Sequence, residues 1–419
     1  MHPILVRIPL PGWKFLGDFT SIPIHSYGVM LGLSLVVGWY LTLGLAEKDG
    51  LPKETMANCY VFTALSAVIM SRVLYYVTNP SEFKSFWEIF ALWRGGLVAY
   101  GGFLGGFVGS VIYLRREKVP LWPWADVAAP SLASGLMLTR VGCYLFGCDF
   151  GKPLPTGSPE WLKKMGTFPH WSEGTLPRGS GSPAWVQHVQ QNLLSFDAPG
   201  SLPVHPTQIY ESLVGALLLV LLFAVRRTLK FRGQVFLTFT FAYGVLRFLL
   251  EMIRDDSERG EFGPHMAEHV MIAGGLLLFA LAYIFFMAPS VSDPTMRKMT
   301  QVIALVPALV AFLLLRPASF ADQTLLQFST SQWVALLTAI PAAMAYGVYL
   351  KAAQAHPDSA LAVDLTEYHQ AHPEALPTAA ASRDEASVHA LASHAPISKQ
   401  ASAGETDLSA PPGDAPGEA

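Results

Sequence analysis

The stretch DVAAPSLASGLMLTRVGCYLFG, residues 126 to 147, is long and apolar enough to cross a bilayer, yet it carries an arginine. A membrane-spanning helix needs roughly 20 mostly apolar residues. An ionisable side chain inside such a helix is expensive and usually faces a cavity or another polar group. Arg140 therefore either pairs with polar residues inside a helical bundle or binds a ligand there.

The composition indicates that a bilayer is the main solvent of this protein. Of the 419 residues, 52% are hydrophobic and only 14% are charged, and the mean hydropathy is +0.36. A soluble domain usually has about 25% charged residues. The net charge of -3, without a broad basic face, argues against a nucleic-acid partner. The three cysteines, Cys59, Cys143 and Cys148, are too few for a disulfide framework.

The apolar segments predict an all-α integral membrane protein, a polytopic helical bundle of about nine transmembrane helices. Lys and Arg are concentrated in the connections after the first, third, fifth and seventh segments, which places those connections in the cytoplasm. The N-terminus is then outside and the C-terminus is cytoplasmic. The predicted spans are approximately 25–46, 57–78, 95–114, 126–147, 206–225, 234–254, 267–288, 300–316 and 329–350.

Three further segments lie outside these spans. Residues 1–24 contain several prolines and lack the layout of a cleavable signal, so we interpret them as a periplasmic N-terminal segment. Residues 148–205 form the long outside loop, which is rich in Pro, Gly, Ser and Trp. Residues 352–419 are rich in Ala, Pro, Ser and Glu without an apolar stripe, which predicts a disordered cytoplasmic tail.

Polar residues cluster towards the predicted outer ends of the spans. Arg247 and Glu251 share one helix face because they are four residues apart. Gly101, Gly105 and Gly109 have the spacing that lets helices approach closely. The polar candidates are Arg140, Arg72 in SRVLYY, His25 and Tyr27 in IHSYG, Tyr100 in GGLVAYGG, His205, Gln208, Tyr210 and Glu211 in HPTQIYES, and Tyr243, Arg247, Glu251 and Arg254 in AYGVLRFLLEMIRDD.

Two interpretations of this polar set are open. The residues can pair with one another and only hold helices together. Alternatively, several arginines near one depth can line an outward-facing cavity, because the planar guanidinium fork matches the oxygens of a phosphate group. An anionic phospholipid headgroup would fit such a cavity.

The chain resembles the bacterial prolipoprotein diacylglyceryl transferases. TRVGCYLFGCDFG (139–151) is similar to the family signature G-R-x-G-N-F-x-N-x-E, with matches at Arg140, Gly142 and Gly151. Four further blocks match in order: IHSYGVMLGL, GGLVAYGGFLGG, HPTQIYES and YGVLRFLLEMIRDD. The resemblance covers residues 25–256 as the catalytic core and returns in the last helix, 328–351. Residues 257–327 then form an inserted transmembrane hairpin.

The sequence departs from the family pattern at several positions. Thr139 replaces a Gly, and Tyr100 stands where many members have a functionally important His. Cys143 and Phe146 replace the two Asn residues, and Cys148 occupies the acidic position. We interpret the chain as a Tyr/Cys variant branch with two extra spans.

The resemblance implies transfer of a diacylglyceryl group from phosphatidylglycerol to the lipobox cysteine thiol of a preprolipoprotein, with release of glycerol phosphate. It implies a bacterial inner-membrane enzyme with its active site towards the periplasm. We expect a monomer that needs neither a cofactor nor a metal. The implied catalytic residues are Arg140, Arg247, Tyr100, Tyr27 and Glu251, and the implied substrate-binding residues are Arg140, Gly142, Gly151, His25, His205, Gln208, Tyr243, Arg254 and Arg72.

Three other functions are alternatives to this one. A transporter of an anionic substrate would suit polar residues at helix ends, but no clear internal repeat is present. A thiol oxidoreductase would need a C-x-x-C pair, whereas Cys143 and Cys148 would lie about 140° apart on a continuous helix. A metalloprotease is suggested only by His265 and His269 in HMAEH, if one helix carries both histidines.

Overall fold

The computed structural model contains nine long helices in the residues that it describes, which are 3–9, 21–91, 96–170, 181–255, 260–317 and 324–373. Each long helix overlaps one of the nine predicted spans. They are α1 (Ser26–Lys48), α2 (Lys53–Thr78), α3 (Ala99–Glu117), α4 (Leu121–Phe146), α7 (Thr207–Arg226), α8 (Gln234–Glu251), α9 (Glu268–Ala282), α10 (Pro294–Leu315) and α11 (Thr330–Ala355).

Seven of these helices are long and apolar enough to cross a membrane on composition alone, with α9 counted together with the helical turns that extend it to Ser290. Only α3 and α4 are outside this group. The prediction of an all-α polytopic membrane protein is confirmed, and the protein is a multi-pass membrane protein. The total of nine spans and the orientation in the bilayer stay predictions.

Short elements connect the long helices at their ends. Strand β1 (Ile4–Pro9) pairs antiparallel with β2 (Ser21–His25), and β3 (Glu261–Ala267) pairs antiparallel with β4 (Leu325–Ser329). The loop that precedes α7 contains the short helices α5 (Glu160–Gly166) and α6 (Pro183–Gln190). A second compact unit begins at Thr366, and its described part is the helix α12 (Thr366–Ala371).

Small residues set the closest helix contacts. A Cβ added to Gly105 in α3 would lie 2.4 Å from the Ser66 carbonyl oxygen in α2, and a Cβ added to Gly101 would lie 2.6 Å from the Met70 carbonyl oxygen. Both distances are shorter than real Cβ contacts, so these two glycines permit the α2–α3 packing. The sequence prediction that this glycine row allows close helix approach is consistent with these contacts.

Two apolar cores hold the remaining helices together. One core lies between α4, α7 and α8, where Ala133, Leu218 and Val235 are fully buried. The other lies between α8, α9 and α11 and contains Phe248 and Ala339. Because α8 contributes to both cores, it is the central element that connects the two groups of helices.

Ion pairs and caps tie several helices together at one end of the bundle. Asp49, just after α1, accepts from Arg226 at 2.7 Å and from Arg232 at 3.0 Å. The carboxylate of Asp126 in α4 accepts from the backbone N–H groups of Gly233 and Val235, which begin α8. At this end α1 and α7 finish while α4 and α8 start, so the finish of α4 and the start of α7 lie at the opposite end.

The C-terminal region is ordered further than the sequence predicted. Helix α11 continues to Ala355, and the backbone of Arg232 donates to the Ala360 carbonyl at 3.1 Å. Residues 352–362 are therefore ordered, although the sequence predicts that a disordered tail starts at residue 352. Residues 374–419 of the predicted tail lie outside the described part of the chain.

The paired histidines of HMAEH do not share a helix face. His265 is exposed on β3, whereas His269 is buried in α9 against the ring of Phe312 at 5.6 Å. The assumption of a continuous helix was wrong because α9 starts only at Glu268. These two side chains do not form the histidine pair that a metalloprotease helix requires.

The α2–α3 contact can be tested with two adjacent glycines. We expect Gly105→Ala to destabilise the protein by about 1–3 kcal/mol, because its Cβ meets a backbone carbonyl that cannot rotate away. The matched control is Gly106→Ala, whose Cβ would be 3.6 Å from Thr63 Cγ2, an ordinary contact. Thermal unfolding in detergent measures both. Equal Tm values for the two variants would contradict this description of the interface.

Candidate active site

The end of α4 folds into a tight turn. Gly147 ends the helix in the left-handed region, with φ of 86°, and its N–H donates to the Cys143 carbonyl at 2.7 Å. Glycine is suited to this position because it has no Cβ to clash. Asp149 also has a positive φ, 57°. The turn therefore reverses the chain and directs the Asp149 carboxylate back towards α4.

Arg140 lies between two carboxylates. Its Nε is 2.9 Å from Glu211 Oε2 in α7, and its Nη1 is 2.7 Å from Asp149 Oδ2 in the turn. The side chain of Glu211 is only 3% exposed. A buried carboxylate needs a close partner because its desolvation is costly. Arg140 supplies that partner and joins α4, α7 and the turn.

Arg247 is held by α8 and α11. Its Nη2 is 2.8 Å from Glu251 Oε2, one helical turn away, and 3.0 Å from the hydroxyl of Ser331. Its Nη1 is 3.8 Å from Glu211 Oε1. Among the described residues, neither Arg247 Nη1 nor Glu211 Oε1 has a hydrogen-bond partner. Arg247 Nη1 is therefore a buried NH2 group with hydrogens that are able to donate to a ligand.

Arg254 completes the set from the end of α8. Its Nη2 is 2.6 Å from Asp149 Oδ1, so each oxygen of that carboxylate faces one arginine. Three guanidinium groups and three carboxylates balance one another in charge. We call these six residues the arginine–carboxylate cluster: Arg140, Asp149, Glu211, Arg247, Glu251 and Arg254.

Backbone contacts fix the turn against α7. The Gln208 amide, fully buried, donates to the Cys148 carbonyl, and the Thr207 hydroxyl donates to the Asp149 carbonyl. Gly151 pairs with Arg254 as an isolated antiparallel bridge. A Cβ on Gly151 would lie 2.6 Å from the Ile253 carbonyl oxygen, so only glycine fits there.

Tyrosines from three helices surround the cluster. The Tyr100 hydroxyl donates to Ser331 Oγ at 2.8 Å, and the same oxygen accepts from Arg247. Tyr243 lies in α8 one turn before Arg247 and within electrostatic reach of it. Tyr27 lies against Gly142, where a Cβ would be 3.2 Å from Tyr27 Cα. Gly142 thus allows α1 to approach α4 beside the cluster.

Arg72 is predicted from the sequence to bind substrate, and in the structure its guanidinium contacts backbone carbonyls. It is 4% exposed and donates to the backbone carbonyls of Ile89, Gly96 and Glu88 at 2.9–3.0 Å. A guanidinium has five N–H donors, which suits it to contact several carbonyls at once. Arg72 therefore fixes Glu88, Ile89 and Gly96 against α2.

The two predicted histidines lie beside the cluster without joining it. The backbone of His205 exchanges hydrogen bonds with Gly151 and Lys152 at 3.0 Å each, while its ring contacts the Tyr210 hydroxyl at 3.4 Å. His25 is the last residue of β2 and precedes α1, half-buried. In the described part of the chain, neither ring has an ion pair with a cluster carboxylate.

Sequence reasoning missed three residues of the site. The family signature aligns its acidic position with Cys148, and only the turn brings Asp149, the next residue, into that place. Glu211 is among the polar candidates of HPTQIYES, and its position on an inward helix face is the sequence signal for it. Ser331 follows a capping serine in α11 and carries no sequence signal of its own.

The charge of Asp149 is stabilised by its neighbours. Burial alone would raise the pKa of this carboxyl, but attraction to Arg140, Arg254 and Arg247 outweighs burial and holds the pKa well below its usual range. The carboxylate is therefore ionised at neutral pH.

Three side chains of the turn have atoms that could bind a metal ion. In the described residues these are Cys143, Cys148 and Asp149, whose sulfur and oxygen atoms all lie within 4.8 Å of one another.

Asp149 should contribute stability in a defined pH range. A carboxyl with a lowered folded-state pKa stabilises the protein above its unfolded pKa of about 3.9 and loses that contribution as the pH falls further. We expect Asp149→Asn to cost about 1.5–3 kcal/mol at pH 7, with a smaller difference from wild type below pH 4. Thermal unfolding across pH 3–8 measures this. The control Asp197→Asn changes an exposed carboxyl, and a pH-independent effect of Asp149→Asn would contradict the assignment.

Comparisons with known proteins identify the family. The model of the family described as prolipoprotein diacylglyceryl transferase matches residues 15–315. A phosphatidylglycerol–prolipoprotein diacylglyceryl transferase of Oceanobacillus iheyensis is 26% identical over 242 residues, which cover 57% of this chain and 76% of the relative. That of Bacillus cereus (strain 03BB102) is 28% identical over 276 residues, 64% of this chain and 88% of the relative.

The matched range includes every member of the arginine–carboxylate cluster and extends into the segment 257–327. The interpretation of that segment as an insertion, and the assignment to a Tyr/Cys variant branch, stay predictions. Because the family model matches more than half of the sequence, the chain belongs to the prolipoprotein diacylglyceryl transferase family.

Proposed function

We infer that this protein transfers the diacylglyceryl group of phosphatidylglycerol to the lipobox cysteine of preprolipoproteins, the first step of bacterial lipoprotein maturation. The family and the names of its relatives support this reaction. The arginine–carboxylate cluster, where three arginines meet at one end of the bundle, is the observation that supports this place as the active site. The enzyme acts in the inner membrane, with this end towards the periplasm.

The reaction exchanges one bond for another at a glyceryl carbon. The cysteine thiolate attacks the carbon that carries the phosphate ester, a C–S bond forms, and the C–O bond to phosphate breaks. The thiol proton passes to a base, and glycerol phosphate leaves with an additional negative charge. Stabilising that charge as it develops is the largest contribution that fixed donors can make.

Arg247 and Arg140 are suited to the leaving phosphate. Arg247 Nη1 is buried without a hydrogen-bond partner among the described residues. Arg140 presents a second guanidinium across Glu211, which contacts both arginines. Because the cluster is neutral without a ligand, a bound phosphate has to compete with a carboxylate for these donors. We propose that the phosphate takes the place of Glu211 on Arg247, while Asp149 keeps Arg140 in position.

The proton acceptor belongs to the carboxylates and tyrosines beside Arg247. Glu251 is fully buried and ion-paired with Arg247, which places its carboxylate beside the donors proposed for the phosphate. Tyr100 already donates its hydroxyl hydrogen to Ser331, which supports a positioning role for it. Tyr27, 41% exposed beside Gly142, is placed to contact a lipid substrate.

Arg140 can be tested without removing its charge. We expect Arg140→Lys to lower transfer by about 10²–10³-fold, because an ammonium cannot contact Glu211 and Asp149 through a planar fork. The assay uses membranes, labelled phosphatidylglycerol and a peptide that contains a lipobox cysteine. The control Arg226→Lys changes a similarly buried ion pair with Asp49 at the opposite end and should keep near-normal transfer. Wild-type transfer by Arg140→Lys would contradict the assignment.

Tyr100 and Ser331 can be tested as a pair. If Tyr100 acts by positioning Arg247 through Ser331, then Tyr100→Phe and Ser331→Ala should lower kcat by similar factors, on the order of 10-fold each. The double variant should then lose little more than either single variant. Fully multiplicative losses, or a much larger loss in Tyr100→Phe than in Ser331→Ala, would argue that the Tyr100 hydroxyl contacts the reacting atoms.

A further inference from the structure

The turn after α4 brings two cysteines together that a continuous helix would separate. Gly147 ends the helix in the left-handed region, and in this type of helix end the residue after the glycine meets the residue five positions earlier. Here those residues are Cys148 and Cys143. The Cys148 sulfur is 3.9 Å from the Cys143 carbonyl oxygen, and the two sulfurs lie within 4.8 Å of each other.

The two thiols lie close together beside the arginine–carboxylate cluster. Cys143 is 5% exposed, and Arg140 Nη1 lies 3.7 Å from its sulfur. Cys148 is the more exposed of the two and lies 3.7 Å from Asp149 Oδ2. A disulfide needs the sulfurs at about 2.05 Å. Bond formation therefore requires rotation of the two short side chains to bring the sulfurs together.

A metal ion fits this place less well. The third potential ligand, Asp149, already has one arginine on each carboxylate oxygen, at 2.6 and 2.7 Å. A divalent cation would have to displace an arginine and would then lie beside the guanidinium of Arg140. A disulfide adds no charge to the cluster and leaves both ion pairs of Asp149 in place.

We propose that Cys143 and Cys148 form a reversible disulfide that fixes the turn carrying Asp149. This inference rests on the geometry of the turn and does not depend on the proposed transferase activity. The two cysteines are not bonded to each other in this structure. The oxidant is a protein or small-molecule disulfide, of the kind found in an oxidising compartment outside the cytoplasm.

The oxidation takes place in two exchange steps. The Cys148 thiolate attacks one sulfur of the oxidant, which forms a mixed disulfide and releases the first thiol of the oxidant. The Cys143 thiolate then attacks Cys148, which forms the internal disulfide and releases the second thiol. The protein loses two protons and two electrons, and the oxidant disulfide becomes two thiols.

The proposal can be tested on the full chain in membranes, without an activity assay. Membranes are treated with oxidised glutathione and then denatured in the presence of a maleimide mass tag. We expect one tag, on Cys59, before reduction and three tags after reduction. The peptide that contains both cysteines should be lighter by two hydrogens before reduction. In Cys143→Ser, Cys148 should instead remain as a glutathione adduct, because no second thiol resolves it.

Two results would overturn the proposal. Three tags without reduction would show that the thiols do not form a disulfide under oxidising conditions. Thiols that become reactive after treatment with a zinc chelator, without any reductant, would show a metal site in place of the disulfide. The control Cys59→Ser should give no tag before reduction and two tags after it. Cys59 is buried in α2, outside the turn, and does not belong to the proposed disulfide.

Discussion

The site depends on the two ion pairs of Arg140. A guanidinium in an apolar helix end is tolerated only when carboxylates balance it, and Glu211 and Asp149 do so from two different elements. The same contacts fix the position of α7 and of the turn against α4. Removing one partner would leave a buried charge without compensation, so these residues hold the structure together and also prepare the site electrostatically.

Neutrality of the cluster has a consequence for ligand binding. A site with bare arginines would bind any anion, whereas here an anion must compete with Glu211 for Arg247. That pair is the loosest in the cluster, at 3.8 Å, compared with 2.6–2.9 Å for the others. In the proposed reaction, burial of the acyl chains of a phospholipid in the bilayer supplies binding energy for this exchange. A free phosphate ion in water has no such contribution.

The sequence predicts the helices well and the turn poorly. Long apolar segments and basic connections are properties of the chain alone, and each predicted span overlaps a helix. Arg247, Glu251 and their common face follow from helical spacing. Asp149 could not be found in this way, because its position depends on two residues with positive φ at the end of α4. An arginine that binds backbone carbonyls, as Arg72 does, has the same sequence appearance as one that binds a ligand.

The opposite end of the bundle shows why charge alone does not define a site. Asp49 there joins Arg226 and Arg232, also buried, and Asp126 caps the start of α8. In the described residues, both carboxylate oxygens of Asp49 and of Asp126 accept hydrogen bonds. At the arginine–carboxylate cluster, by contrast, Arg247 Nη1 and Glu211 Oε1 are buried without hydrogen bonds. The buried Arg247 Nη1 therefore supports the proposal that this end of the bundle binds the phosphate of the substrate.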